Sequence, residues 1–134
     1  MSKPEVLSVV VEREIPFPPE KIWRALTQPH LIEEWLMKND FKPVADHRFK
    51  FPADWGGVDC LVLTVEPNKT LSYTWGAMGT GTVVTMTLTP TATGTVLRVE
   101  QTGFRPDQPQ NFQGAKFGWQ RFLGRLEEVL ARTD

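Results

Sequence analysis

Residues 110–132, QNFQGAKFGWQRFLGRLEEVLAR, decide the fold of this chain. Their apolar side chains recur at alternating intervals of four and three residues, which is the spacing of one face of an α-helix: Ala115, Trp119, Phe122, Leu126 and Val129. Leu123 and Leu130 widen this stripe to about a third of the helix circumference. The pattern predicts one long amphipathic helix, whose broad apolar face must be buried against another element.

Proline and glycine divide the sequence ahead of this helix into short pieces that alternate as β-strands do. Two short helices are predicted within it, one beginning near Pro19 and one near Pro29. A glycine-rich turn is predicted at Gly76–Gly81. The predicted strands are residues 5–15, 49–51, 58–66, 71–75, 84–89 and 97–102.

This order of elements predicts an α+β fold in a single domain spanning residues 1–134. Consecutive strands joined by short turns form an antiparallel sheet with one apolar face, and that face needs a cover. Only the C-terminal helix is long enough to cover it, so we expect the sheet to curve around this helix. Such an arrangement leaves a hollow between sheet and helix unless large side chains fill it.

The stretches that carry a resemblance to a known family are EREI at 12–15, PEKIWRALT at 19–27 with Trp35, LSYTW at 71–75, and Gly118-Trp119. With them the sequence resembles the activator-of-heat-shock-chaperone-ATPase (AHSA) branch of the START-like, helix-grip superfamily (SRPBCC). The resemblance covers nearly the whole chain. It implies the helix-grip fold, a curved antiparallel β-sheet wrapped around a long C-terminal α-helix. That family includes chaperone co-factors, polyketide cyclases, resistance proteins and lipid or small-ligand binders, so the resemblance assigns no catalytic residue here.

Charge and cysteine content exclude several classes of function. The formal net charge of −1 gives no reason to expect a nucleic-acid partner. The single cysteine, Cys60, excludes an internal disulfide and a multi-cysteine zinc site. No stretch approaches the roughly 18 apolar residues that would insert in a membrane. The N-terminal residues lack the apolar core of a signal peptide, so we expect a cytoplasmic protein.

No motif for catalysis, metal binding or cofactor binding is visible. His30 and His47 lack metal-ligand spacing with Cys60 or with an acidic residue. The glycine-rich segment lacks the Gly-Lys-Ser/Thr ending of a phosphate loop. Cys60 lies in an apolar strand and reads as a small buried hydrophobe. We therefore expect no metal, no cofactor and no catalytic group, which leaves an enzymatic role open but not favoured.

An unusual set of aromatic and small residues is the predicted lining of the hollow. Core packing explains part of this set, because aromatic side chains dominate protein cores. Gly118 lies inside the predicted helix, where glycine costs about 1 kcal/mol relative to alanine. Close approach of the backbone to the sheet or to a ligand would offset that cost, and helix bending is the competing explanation. The predicted site residues are Trp35, Phe49, Phe51, Trp55, Cys60, Tyr73, Trp75, Met86, Gly118 and Trp119.

Three hypotheses for function follow from this arrangement. The leading one is binding of an apolar small molecule or lipid in the hollow, with a few polar groups for orientation. The second is a cyclase- or hydrolase-type enzyme in which a Tyr, Arg or Asp transfers a proton. The third is a chaperone co-factor-like interaction module. Phe117, on the helix face opposite the apolar stripe, is the candidate contact for such a partner or for a homodimer. Arg13 is either a snorkelling side chain or a cation facing the hollow.

Overall fold

The computed structural model describes residues 7–52, 57–77, 80–104 and 109–133. The elements in chain order are β1 (Leu7–Ile15), α1 (Pro19–Thr27), α2 (Pro29–Trp35), β2 (Arg48–Phe51), β3 (Val58–Glu66), β4 (Thr70–Ala77), β5 (Thr80–Pro90), β6 (Thr95–Phe104) and α3 (Pro109–Arg132). This order confirms the predicted α+β, helix-grip architecture. Pro18 caps α1 and Pro19 begins it, because the fixed φ of proline suits the first helical position.

The strands form one antiparallel sheet in the order β1-β6-β5-β4-β3-β2. Strands β2 to β6 pair with one another in chain order as a meander, and the last strand, β6, pairs along its other edge with the first strand, β1. Burial alternates along β6 from Thr95 to Gln101, which shows one face turned to the core and one turned outward. The curved inner face holds α3, as the amphipathic stripe predicts.

The glycine-rich segment joins the antiparallel strands β4 and β5, but the strands extend further into it than the predicted turn at Gly76–Gly81. Gly76 pairs with Gly81, and Ala77 pairs with Thr80, and residues 78–79 lie outside the described ranges. Glycine has no side chain to obstruct an extended ladder, so a glycine-rich run can stay paired. Gly103 has a structural role of its own. Its φ of +107° suits glycine, and it is the extra residue where the pairing of β6 with β1 shifts register.

The long helix α3 closes the sheet through the predicted stripe. Leu123, Leu126 and Leu130 are completely buried, and Trp119 is 2% exposed. The helix packs against β1, α1 and α2. Within the described ranges, none of the helices combines the length and the apolar character needed to cross a membrane.

Candidate ligand site between the sheet and the long helix

Five aromatic side chains line one end of the inner face, and we call them the aromatic wall: Phe49, Phe51, Tyr73, Trp75 and Trp119. On the sheet, the centroid of the Phe49 ring lies 5.3 Å from that of Phe51 and 5.1 Å from that of Tyr73, while Phe51 lies 5.4 Å from Trp75. Trp75 then reaches Trp119 of α3 at 5.7 Å. These separations suit edge-to-face and tilted contacts, each worth about 0.5–1.5 kcal/mol beyond its buried area. The wall therefore joins the sheet to the helix.

Strand alternation and register bring the wall together. Phe49 and Phe51 occupy alternate positions of β2, and Tyr73 and Trp75 occupy alternate positions of β4, so all four face inward. Cys60 lies on β3 between these strands. It pairs with Phe49 on one side, and the neighbouring pair of Asp59 with Gly76 sets it beside Trp75 on the other.

The two weak acids of this region are held in their protonated forms. Cys60 is buried, as the sequence predicts, and burial raises the pKa of its thiol to about 12, with the Asp59 and Asp40 carboxylates adding to the effect. Burial also raises the pKa of the Tyr73 hydroxyl above its usual range, and the neighbouring Cys60 raises it further. Both groups are uncharged at neutral pH. The arrangement offers hydrogen-bond donors rather than a thiolate nucleophile or a base.

A chain of hydrogen bonds fixes Trp119 against the sheet. The indole Nε1 of Trp119 donates to Oε1 of Gln101 at 2.7 Å, and Nε2 of Gln101 donates to the Thr82 hydroxyl at 2.8 Å. The Thr82 hydroxyl donates in turn to the carbonyl oxygen of Trp75 at 2.9 Å. The sequence analysis did not assign Gln101 or Thr82 to the site. Gln101 is a polar residue at an inward position of β6, which is the one local sign of its role. Its hydrogen-bond partners, Trp119 and Thr82, lie far from it in the sequence.

Phe41 is a third residue of this region that the sequence does not mark. It is 2% exposed, and its ring meets the Phe49 ring edge-on at 5.0 Å. It lies between α2 and β2, outside any periodic element, so no pattern marks it as buried. A local turn sets its position, since the Asn39 side-chain oxygen accepts a hydrogen bond from the backbone N–H of Phe41 at 3.1 Å.

Two predicted site residues, Trp35 and Met86, lie away from the aromatic wall, and a third is not described. Trp35 is buried between α1 and α2, and its Nε1 donates to the carbonyl oxygen of Ala25 at 2.8 Å. Met86 is buried on β5, where it pairs with Leu71 and Val99. Trp55 lies outside the described residues. Trp35 thus joins the two short helices, and Met86 belongs to the row of the sheet that contains Leu71.

Gly118 is not approached closely by the sheet, so that part of the prediction is wrong. Among the described residues, a Cβ added at Gly118 would contact only the ring of Phe122, at 3.8 Å. The opposite flank of α3 is anchored, because Nη2 of Arg13 on β1 donates to the carbonyl oxygen of Gln120 at 3.2 Å. Two residues along a helix correspond to a rotation of about 200°. Gly118 therefore lies on the flank away from β1, and a side chain there would point past the described part of the sheet.

The inner face carries no free charge in the described part of the chain. Arg13, the predicted candidate cation, forms an ion pair and hydrogen bond with Glu127 of α3. The buried polar side chains in these ranges are Thr27, Ser72, Thr82, Thr95 and Gln101, all of them neutral. No group of three or more His, Cys, Asp or Glu residues that could hold a metal ion occurs in the same ranges.

A curved antiparallel sheet closed by one long helix over an aromatic inner face defines a helix-grip protein. The chain belongs to the family of activator of Hsp90 ATPase homolog 1-like proteins, whose sequence profile matches residues 16–131. This confirms the AHSA-type resemblance noted in the sequence.

Solved structures carry the same fold. The protein MLL2253 from Mesorhizobium loti is 64% identical, with a TM-score of 0.92 over 96% of this chain and 99% of that one. DynU16, a protein in the dynemicin biosynthetic locus, is 28% identical with a TM-score of 0.83, over 93% of this chain and 47% of that one. The protein BH1534 from Bacillus halodurans is 24% identical with a TM-score of 0.84, over 96% of this chain and 99% of that one. No curated protein matches the chain.

Proposed function

We propose that this chain, acting as one domain, binds an apolar small molecule or lipid between the sheet and the N-terminal half of α3. One observation carries the proposal. The C-terminal half of the helix is fully seated on the core, with Leu123, Leu126 and Leu130 completely buried. Gly118 and Phe122, on one flank of the N-terminal part, are only half-buried, and among the described residues a Cβ added at Gly118 would meet no atom of the sheet within 4 Å. Trp119 holds this part of the helix to the sheet, and the flank beside it is left only half-buried.

The surfaces on this flank of α3 and on the facing sheet suit an apolar ligand. Trp75 is half-buried, as are Ala115 and Phe122 on the same part of α3, so each keeps surface that a ligand can cover. Small-molecule sites are mostly lined by apolar and aromatic side chains with a few placed polar groups. Burial of apolar surface contributes about 25 cal/mol per Å², and the rigid wall needs little ordering when a ligand binds.

The relatives are consistent with this role. DynU16 is a protein in the dynemicin biosynthetic locus and shares 28% identity with this chain. A biosynthetic setting for a relative supports a small organic ligand for this protein. We propose no catalytic step, because the titratable groups of the wall, Cys60 and Tyr73, hold their protons and supply no base at neutral pH.

Titration with Nile red, an uncharged dye whose emission rises in apolar surroundings, tests the proposal. We expect saturable binding of about one dye per chain, since such sites are few per protein. Gly118→Leu places a large side chain on the half-buried flank of α3 where we expect the ligand, and it weakens binding about tenfold or more.

Gly124→Leu is the matched control for this substitution. It lies six residues further along α3, about 240° round the helix, and an added Cβ there meets nothing within 4 Å. Its affinity for the dye stays at the wild-type value. The proposal fails if the wild-type protein does not bind the dye, or if both leucine variants bind as well as the wild type.

A further inference from the structure

The hydroxyl of Tyr73 is a polar atom set within the aromatic wall. Tyr73 is the single tyrosine of the chain and is 3% exposed. Its ring lies among three phenylalanine rings, with centroids 5.1 Å from Phe49, 6.3 Å from Phe41 and 6.4 Å from Phe51. A tyrosine so deeply buried normally finds a hydrogen-bond partner for its hydroxyl, because desolvation without one is costly.

Tyr73 makes no hydrogen bond with any residue in the described part of the chain, in contrast to the nearby Gln101, Thr82 and Trp119. In the same ranges, no fully buried side-chain nitrogen or oxygen lacks a partner. The Tyr73 oxygen is therefore not sealed into the core. It keeps some accessible surface, although the rest of its side chain is covered. A hydroxyl in such a position is free to donate to a molecule that enters the site.

The surroundings of this hydroxyl favour an uncharged partner. The buried side chains of the described ranges include no lysine, arginine, aspartate or glutamate. Arg13, which faces inward from β1, is already paired with Glu127. Among the described residues a ligand carboxylate would gain no buried counter-ion for the hydration that it loses, and burial of an unpaired charge is a large cost. The hydroxyl also keeps its proton, since burial raises its pKa, so it acts as the donor.

We propose that the Tyr73 hydroxyl donates a hydrogen bond to an uncharged oxygen of the ligand, and that it selects neutral carbonyl or ether compounds over carboxylates. This inference rests on the proposed binding function and adds the chemical class of the ligand. Tyr73 is then the group that orients an otherwise apolar molecule against the aromatic wall.

Three probes of similar shape test the inference by calorimetric titration: acetylnaphthalene, ethylnaphthalene and naphthoate. A net hydrogen bond makes the wild-type protein bind the ketone about 3- to 10-fold more tightly than the hydrocarbon. Naphthoate binds more weakly than the ketone. Tyr73→Phe removes the preference for the ketone over ethylnaphthalene. Thr85→Val, which deletes a hydroxyl from the outer face of β5, keeps the preference.

A second measurement does not depend on any substitution. Because the chain has one tyrosine, meta-fluorotyrosine labelling gives one fluorine NMR signal, and we expect the ketone to shift it more than the hydrocarbon does. Equal affinity for ketone and hydrocarbon in the wild type and in Tyr73→Phe overturns the role of Tyr73 while leaving the binding function in place. Failure of the wild type to bind either compound removes the binding function itself.

Discussion

Replacing Trp119 by alanine tests the closure of the sheet by α3. The side chain is 2% exposed and contacts the rings of Trp75 and Phe122 at 5.7 and 5.8 Å. Truncation of a buried aromatic side chain to alanine costs about 3–5 kcal/mol, through lost burial and the cavity left behind. Loss of the indole N–H leaves the buried Oε1 of Gln101 without its donor, which costs about a further 1–3 kcal/mol. The sum is comparable with the whole stability of a small domain, about 5–15 kcal/mol.

Urea unfolding followed by circular dichroism measures this loss, and two further variants separate its parts. Trp119→Phe keeps most of the ring and loses mainly the hydrogen bond, so we expect a loss of about 1–3 kcal/mol. Adding Gln101→Leu to it removes the orphaned acceptor. The double variant should then be more stable than the sum of the two single losses predicts, by about 1 kcal/mol or more.

An exposed residue of the same helix supplies the baseline. Phe117 is 67% exposed, and Phe117→Ala should change the free energy of unfolding by no more than about 0.5 kcal/mol. If Trp119→Ala also stays within about 1 kcal/mol of the wild type, α3 does not close the sheet and the reasoning is wrong. Strict additivity in the double variant would show that the hydrogen bond to Gln101 contributes nothing.

Three further predictions follow from single residues. The folded Cys60 thiol keeps its proton to about pH 12, whereas an ordinary thiol loses it near pH 9.0. Between these values the unfolded chain binds fewer protons, so the free energy of unfolding falls as the pH rises. Cys60→Ala should flatten the pH dependence of the urea midpoint, and parallel curves for the variant and the wild type would contradict this. Gly103→Ala should destabilise the protein by about 1–3 kcal/mol, because φ is +107° and the new Cβ would lie 3.1 Å from the Gly81 carbonyl oxygen; an unchanged midpoint refutes it. The homodimer contact through the exposed Phe117 stays a prediction: Phe117→Glu should shift a dimer to monomer in sedimentation, whereas a monomeric wild type or an unchanged dimer removes Phe117 from any interface.

The sequence predicts most of the fold because periodicity is a local property. The stripe from Ala115 to Val129 predicts α3 and its buried face. Alternation in the strands likewise predicts that Tyr73 faces inward. The antiparallel pairing of β4 with β5 is predicted as well, but the predicted turn at Gly76–Gly81 is too long, since composition alone does not show whether a glycine-rich run stays paired.

The candidate site is less predictable because it depends on contacts between distant residues. The inward position of Gln101 is visible in the strand pattern, but its bond to Trp119 requires the packed helix. Phe41 belongs to no periodic element, so its burial has no local signal. The cost of a glycine at position 118 suggests a close contact with the sheet, whereas an added Cβ there would meet only the Phe122 ring among the described residues.

The position of a bound ligand tests the central claim most directly. Isotope-filtered NMR of the labelled protein with unlabelled acetylnaphthalene detects protein protons within about 5 Å of the ligand, a separation typical of side chains that line a site. We predict cross-peaks from the rings of Tyr73, Trp75 and Trp119 and from the backbone of Gly118. Cross-peaks confined to residues other than those of the aromatic wall and of the α3 flank at Gly118 would contradict the account.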